Sequence, residues 1–474
     1  MSSSKIFINI LKIALSNLIK LISGVLVGFL LPKIVSVDDY GYYKTFSLYA
    51  TYVGLFHFGF LDGIYLKFGG YDYEQLDKSK FRSYSRFLIL LEFIISMIGC
   101  FVSLLFLSDN LKIIFIFVSI FLFTYNITGY YQYISQITGR FNELSIRNLI
   151  QSIFTALSIF ILWLFSYLKI VSINYVWYLC FYVGIQIILC IWYIFTYRKI
   201  TFGPTLKFNE KYREILMIIL NGFPLLISNL CLLLILNIDR QFVNIFFNNQ
   251  IYAKYAFAYN MISLISTATS AISIVIYPSM KRLDLDKIKL SISNYVILTS
   301  IFVFMCLIVY YPLCFFIDWF LPTYSESLII FRIILPGICI SSLITIVYQN
   351  YFKILNKNFL FFILSIIILG ISILANLISY LIFKTTISIS IASILVMIIW
   401  YIAILMNLRK QFKFRFLKEM LYLLIMMIAF YLLTFIDNYF VGFLVHIIVF
   451  SLITITFYHK NIFLMINKIK SRVK

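Results

Sequence analysis

A chain of 474 residues that is 63% hydrophobic and 12% charged, with a mean hydropathy of +1.00, is not a soluble domain, which carries about 45–50% apolar and roughly 25% charged residues. Apolar runs of 18 or more residues recur from one end to the other, the length that crosses about 30 Å of hydrocarbon at a rise of about 1.5 Å per residue. The net charge of +21 does not mark a nucleic-acid binder, because the Lys and Arg residues are dispersed over short segments instead of gathered on one soluble module.

Backbone groups in lipid must bond internally, which leaves helices or a closed barrel, and these runs show no period-two alternation. The chain therefore reads as an all-α membrane protein of about 14 transmembrane helices. In chain order the spans are predicted at Asn9–Leu31, Lys44–Leu66, Phe87–Leu107, Leu111–Tyr133, Leu149–Leu168, Asn174–Tyr197 and Ile215–Ile238. The series continues with Ala253–Ile276, Ser291–Ile317, Glu326–Asn350, Phe359–Phe383, Ile387–Asn407, Glu419–Asp437 and Tyr439–Tyr458. The first run, from Ile6 to Leu31, is too long for the apolar region of a cleavable signal and is expected to stay as helix one.

With these spans, about thirty of the 39 Lys and Arg residues fall on one side. They are Lys5 and Lys12 together with those in the segments 67–86, 140–147, 198–213, 281–289, 353–357, 409–418 and 460–474. The positive-inside rule then predicts an even number of spans with both termini cytoplasmic. Loops on the opposite side are short, Pro32–Tyr43 and Asp239–Tyr252 being the longer ones, and no soluble domain fits anywhere. The seven cysteines, Cys100, Cys180, Cys190, Cys231, Cys306, Cys314 and Cys339, lie singly without ligand spacing, so neither a metal nor any other cofactor is expected.

An internal repeat organises the spans. After helix one the chain reads Asp39-Tyr40-Gly41-Tyr42-Tyr43-Lys44, and after helix seven it reads Ile251-Tyr252-Ala253-Lys254-Tyr255-Ala256, an offset of about 212 residues. Two six-helix blocks of parallel orientation, related by an axis along the membrane normal with a cavity between them, are predicted. The boundaries follow as 1–200 for the first bundle, 201–408 for the second, and 409–474 for a terminal helix pair with a basic cytoplasmic tail.

Several segments carry a family resemblance: Val37-Asp38-Asp39-Tyr40-Gly41-Tyr42-Tyr43 after the opening helix, Phe58-Gly59-Phe60-Leu61-Asp62-Gly63 ending helix two, and helix seven from Gly222-Phe223-Pro224 through Asn237-Ile238-Asp239-Arg240. In these the chain resembles the multidrug/oligosaccharidyl-lipid/polysaccharide (MOP) exporter superfamily, specifically its Wzx-type branch of O-antigen or capsule-repeat flippases. It departs at Ala253, where that family usually has Gly. The resemblance implies two six-helix bundles around a central cavity plus a terminal helix pair, in a bacterial inner membrane. It implies no enzyme but a flippase that moves polyprenyl-diphosphate-linked oligosaccharide repeat units from the cytoplasmic to the outer leaflet by alternating access. Such a protein works as a monomer in the bilayer, beside other polysaccharide-assembly membrane proteins.

Charge deep in hydrocarbon costs at least about 2.5–3.5 kcal/mol on insertion scales, so it faces water or a partner and picks out the candidate residues. Lys20 lies near the middle of helix one, about 16 Å from either end, too far to snorkel to an interface. His57 and Asp62 in helix two stand on adjoining faces; a structural ion pair with Lys20 or Lys67 competes with a substrate or proton role for Asp62. Arg332, just before Pro336-Gly337 in helix ten, stands beside an expected helix break, where a guanidinium suits a phosphate. Asp239-Arg240 and Lys254 are expected at the rim, and Glu92 is expected to pair with Arg86. Gly24-x-x-x-Gly28 and Gly59-x-x-x-Gly63 permit close helix contact. Lys20, His57, Asp62, Arg332, Arg240 and Lys254 are thus the candidate substrate-binding set.

Two other functions compete. A multidrug cation antiporter of the same superfamily usually stops near twelve helices and attracts cations with carboxylates, whereas the most central charge here is Lys20. A polysaccharide polymerase or glycosyltransferase needs a sizeable external loop, and only Pro32–Tyr43 with Asp38-Asp39 hints at one. No phosphate-binding GxxxxGK[ST] loop is present.

Overall fold

Lipid offers the backbone no hydrogen bonds, and among its described residues the computed structural model contains helices and turns with no strand. The backbone is described for all residues except 1, 2, 207, 282–284, 356, 413–416 and 474. Side chains are further excluded at 3–15, 17, 208–211, 267–281, 285–291, 358, 410–412 and 460–473. The basic clusters 281–289 and 460–474 therefore lie outside the described side chains, as does most of 409–418.

The chain forms two compact units, Met1–Leu233 with Phe247–Ala253, and Leu234–Phe246 with Lys254–Lys474. The first holds α1 (Ser3–Ile34), α2 (Val37–Ala50), α3 (Phe60–Phe68), α4 (Lys78–Phe106), α5 (Asp109–Ile137), α6 (Phe141–Tyr167), α7 (Tyr175–Thr196), the short α8 (Arg198–Thr201) and most of α9 (Phe208–Ile235). In the second lie α10 (Ile238–Phe246), most of α11 (Asn249–Lys281), α12 (Leu285–Cys306), α13 (Tyr310–Phe320), α14 (Ser327–Ile334) and α15 (Gly337–Ser342). A π-helical turn over Leu343–Tyr348 leads to α16 (Gln349–Ile354), α17 (Asn358–Phe383), α18 (Thr386–Phe412), α19 (Leu417–Leu433) and α20 (Tyr439–Val473).

Nine helices among the described residues are long and apolar enough to cross a membrane, and the pair Ser327–Ile334 and Gly337–Ile354, bent by 42°, makes a tenth. That bend falls at Pro336, where the missing amide removes a helical hydrogen bond, and it is the break expected beside Arg332. The remaining four spans read from the sequence have a different standing. Span 44–66 is interrupted, α19 is only 17 residues long, and 9–31 and 253–276 run into residues outside the described side chains.

The expected polar loops are helix. α1 continues through Pro32 to Ile34 and α2 begins at Val37, so the segment Pro32–Tyr43 contributes a two-residue turn. Ser36 caps α2 by accepting from the Asp39 amide at 3.0 Å, which satisfies one of the orphan N–H groups at a helix start. The 239–252 segment likewise contains α10 and the start of α11. Its Asn249 and Gln250 side chains donate to Asp38 O and Oδ2, both at 2.7 Å, and the Tyr252 hydroxyl donates to Lys44 O at 3.0 Å. The segments 38–44 and 249–252 are therefore bonded to each other within the first unit.

The described basic residues near the start of α4 hold the connection between α7 and α9. Arg82 Nε donates to Lys199 O at 2.9 Å, Arg86 Nη2 to Gly203 O at 2.7 Å, and Ser83 Oγ accepts from the Leu206 amide at 3.0 Å. Lys67 and Lys80 share Glu214, at 2.6 and 3.0 Å.

Candidate functional site

The second span was expected to be one helix over 44–66, but it breaks between Ala50 and Phe60. Residues Val53–Leu55 wind as a 3-10 turn, and Phe58 and Gly59 take left-handed φ values of 50° and 83°. A residue with positive φ reverses the local chain direction, which glycine tolerates at little cost. The break closes the five-residue separation of His57 and Asp62. His57 Nε2 lies 3.9 Å from Asp62 Oδ2, both side chains being buried, and Tyr133 on α5 stands near the Asp62 carboxylate. His57 Nδ1 accepts from the Gly59 amide at 3.1 Å. An accepting Nδ1 places the neutral ring's proton on Nε2, facing Asp62.

This bond gives His57 a measurable structural role. His57→Ala leaves the buried Gly59 N–H without a partner, at a cost of about 1–3 kcal/mol, and lowers the thermal midpoint of the purified protein. His57→Asn, whose Oδ1 takes the place of Nδ1, restores most of the loss. Equal midpoints for the two variants would remove the bond from the account.

Lys20 is exposed on α1 and lies within the electrostatic field of Arg147. Arg147, at 7% exposure, is buried in the second turn of α6. Its Nη1 donates to Asn148 Oδ1 at 3.2 Å. With the Gln132 amide turned so that its oxygen faces donors, Gln132 Oε1 accepts from Arg147 Nη1 at 3.0 Å and from Nε at 2.9 Å. Tyr125, Tyr182 and Tyr193 stand within the field of the guanidinium. Among the described residues no carboxylate pairs with Lys20 or Arg147.

In the sequence Arg147 falls before a span expected to start at Leu149, yet α6 starts at Phe141. The signal that could have exposed it is Glu143, the obvious i,i+4 partner of Arg147. The structure gives Glu143 to Arg140 instead, with Nε to Oε1 at 2.7 Å, and leaves Arg147 facing inward with amides alone.

The other candidates lie in the second unit. Asp239, expected at the rim, is buried at 2% exposure. It accepts from the Arg240 amide at 2.7 Å, from the Tyr255 hydroxyl at 2.8 Å and from the Tyr259 hydroxyl. The Arg240 guanidinium stacks over the Tyr259 ring at 4.5 Å. Lys254 bonds Glu326 at 2.8 Å, and the Glu326 side chain is 76% exposed. Arg332 lies over the Phe435 ring at 5.2 Å, with Tyr310 and Cys314 in its field. Glu92 does not pair with Arg86, which is spent on Gly203; it is buried against Asn126. The structure thus sets His57 against Asp62, places Lys20 on α1 and Arg147 on α6, two helices that pack together, and gives Arg240, Lys254 and Arg332 separate neighbours.

No protein-family model and no curated protein matches the sequence. Solved structures do match. The lipid II flippase MurJ in an inward closed conformation is similar over 96% of this chain and 100% of its own, at a TM-score of 0.72 and 16% identity. A multidrug resistance MATE family transporter of the MOP superfamily, inward-facing, is similar over 83% of this chain and 95% of its own, at a TM-score of 0.58 and 13% identity. A MOP superfamily transporter from Pyrococcus furiosus, whose binding pocket is described as reversed in polarity, is similar over 86% and 96%, at a TM-score of 0.50 and 14% identity. The chain is a multi-pass membrane protein with the fold of MOP-superfamily transporters.

Proposed function

We propose that this protein is a flippase for an anionic lipid-linked saccharide, a polyprenyl-diphosphate-linked oligosaccharide repeat unit, carried from the cytoplasmic to the outer leaflet of a bacterial inner membrane by alternating access. The observation that carries this reading is the pair Lys20 and Arg147: two positive side chains in one helical unit, without a carboxylate among the described residues to neutralise either. Leaving a buried charge uncompensated is expensive. A site that bears that cost gains most when an anion enters. A guanidinium presents a planar fork that meets phosphate oxygens in pairs, and Lys20 adds a second charge for a diphosphate.

The similarity to a lipid II flippase supports the same substrate class, while the similarity to a multidrug transporter keeps cation efflux as the competing reading. Two cations on packed helices without a carboxylate partner among the described residues repel a cationic drug, which favours the flippase. Arg332, held over Phe435, serves in this reading as a rim residue beside the Pro336 bend. Outward movement of a diphosphate is also downhill electrically, since an inside-negative potential is worth about 2.3 kcal/mol per charge per 100 mV. Both termini are then cytoplasmic. A leaflet-resolved assay of lipid-linked oligosaccharide tests the proposal: cells lacking the gene are expected to accumulate single repeat units on the cytoplasmic leaflet. Accumulation on the outer leaflet instead points to a polymerase, and an unchanged distribution with lost dye efflux points to an antiporter.

A further inference from the structure

Glu92 is a buried carboxyl of the first unit that the flipping mechanism leaves unused. It stands on α4 at 0% exposure. Its Oε2 accepts from Asn126 Nδ2 on α5 at 2.9 Å, and the same amide nitrogen donates to Val53 O at 3.0 Å. Val53 opens the 3-10 turn in the broken second span, so Asn126 straps that break to α4 through Glu92. Two atoms of the pair have no donor among the described residues: Glu92 Oε1 and Asn126 Oδ1, both buried acceptors. An ionised carboxylate leaves both orphaned, and buried polar groups of native proteins are rarely orphaned. One proton on Oε1 serves both.

The groups able to hold an ionised Glu92 are accounted for. On α5 the titratable side chains within seven positions of Asn126 are Tyr125, Tyr130, Tyr131 and Tyr133, which carry no positive charge. α8, packed against the other end of α4, supplies Arg198 and Lys199 beside Arg82 and Arg86, whose guanidinium groups bond Lys199 O and Gly203 O. His57, in the strapped break, accepts from Gly59 N and faces Asp62. Among the described residues, Asn126 is the one side chain hydrogen-bonded to the carboxyl.

We propose that Glu92 is a proton-binding site: in this conformation its Oε1 carries a proton donated to Asn126 Oδ1, closing a two-bond acid–amide ring, and the proton is exchanged when the unit changes shape. On release the O–H bond breaks, the electron pair stays on the carboxylate and the proton passes to water. A bare carboxylate at this depth is unfavourable, so release requires Glu92 to reach water, and that movement pulls Asn126 from Val53 and loosens the break. Lower pH accordingly favours the conformation described here, and higher pH favours the one in which the strap is open.

The test needs no saccharide, so its failure is independent of the flipping proposal. Infrared difference spectra of the full chain in lipid nanodiscs are expected to show a carboxylic-acid C=O band at neutral pH that Glu92→Gln removes. Raising the pH is expected to abolish it reversibly. Asn126→Leu, which removes both ring partners, is expected to keep the band but move its frequency, and this variant carries the assignment should Glu92→Gln fail to accumulate. No carboxylic-acid band removed by the first variant or moved by the second overturns the protonated ring. A band unchanged at every pH at which the chain stays folded overturns the exchange.

Discussion

Arg147→Gln is expected to reduce export of lipid-linked repeat units by roughly ten- to hundredfold, because a hydrogen bond to a charged group contributes about 1.5–3 kcal/mol and each 1.4 kcal/mol is about tenfold. The same substitution is expected to raise the thermal midpoint of the purified protein. These opposite signs distinguish a binding cation from a structural one. A guanidinium held by Gln132 and Asn148 with Lys20 in its field has its desolvation cost only partly offset, and neutralising it removes that cost together with the repulsion from Lys20. Lys20→Ala is expected to act in the same direction on both readouts, and Arg147→Lys to fall between, keeping the charge and losing the fork. Export assayed in a deletion strain, beside protein abundance and melting in detergent, checks all three. If Arg147→Gln melted lower and exported normally, Arg147 would be a structural residue and the anion site would have to lie elsewhere.

Much of the fold was legible because lipid reduces the choice of backbone to one. Unbroken apolar runs of helical length located most spans to within a few residues, and Pro336-Gly337 marked the 42° bend by chemistry local to those two positions. What stayed hidden depended on partners distant in sequence. Apolar composition over 44–66 gives no sign of the break at Val53–Gly59, since its free carbonyl is answered by Asn126, 73 positions away. Asp239-Arg240 read as a loop because charge clusters usually end spans. In the structure the carboxylate is instead satisfied by Tyr255 and Tyr259 from the next helix. Arg147 was lost to the same habit of assigning charge to loops. Lys20 is a candidate from its depth alone, while Arg147 becomes one only through the packing of α1 on α6.

The glycine pairs show the same division and yield the second large effect. Gly24-x-x-x-Gly28 and Gly59-x-x-x-Gly63 are the same pattern, but a Cβ on Gly24 would meet nothing within 4 Å, whereas one on Gly63 would lie 2.0 Å from Ile218 O. A Cβ on Gly222 would lie 2.0 Å from Gly59 O and 2.4 Å from Gly63 N. All these obstacles are backbone atoms, so no side-chain rotation relieves them, and α3 and α9 must separate to admit a methyl group. Overpacking of a close contact costs about 1–3 kcal/mol and more where nothing yields, against a total stability of about 5–15 kcal/mol. Gly222→Ala and Gly63→Ala are therefore expected to lower the thermal midpoint sharply and to deplete the protein in membranes. Gly24→Ala, Gly184→Ala and Gly370→Ala, each in open space within a helix, are expected to be neutral or to stabilise by about 0.5–1 kcal/mol through helix propensity. The close contact also backs the left-handed turn at Gly59 that sets His57 beside Asp62, so separating the helices should change the environment of that pair. If Gly222→Ala melted like Gly24→Ala, α3 and α9 would not meet at backbone distance, and the break in the second span would need another support.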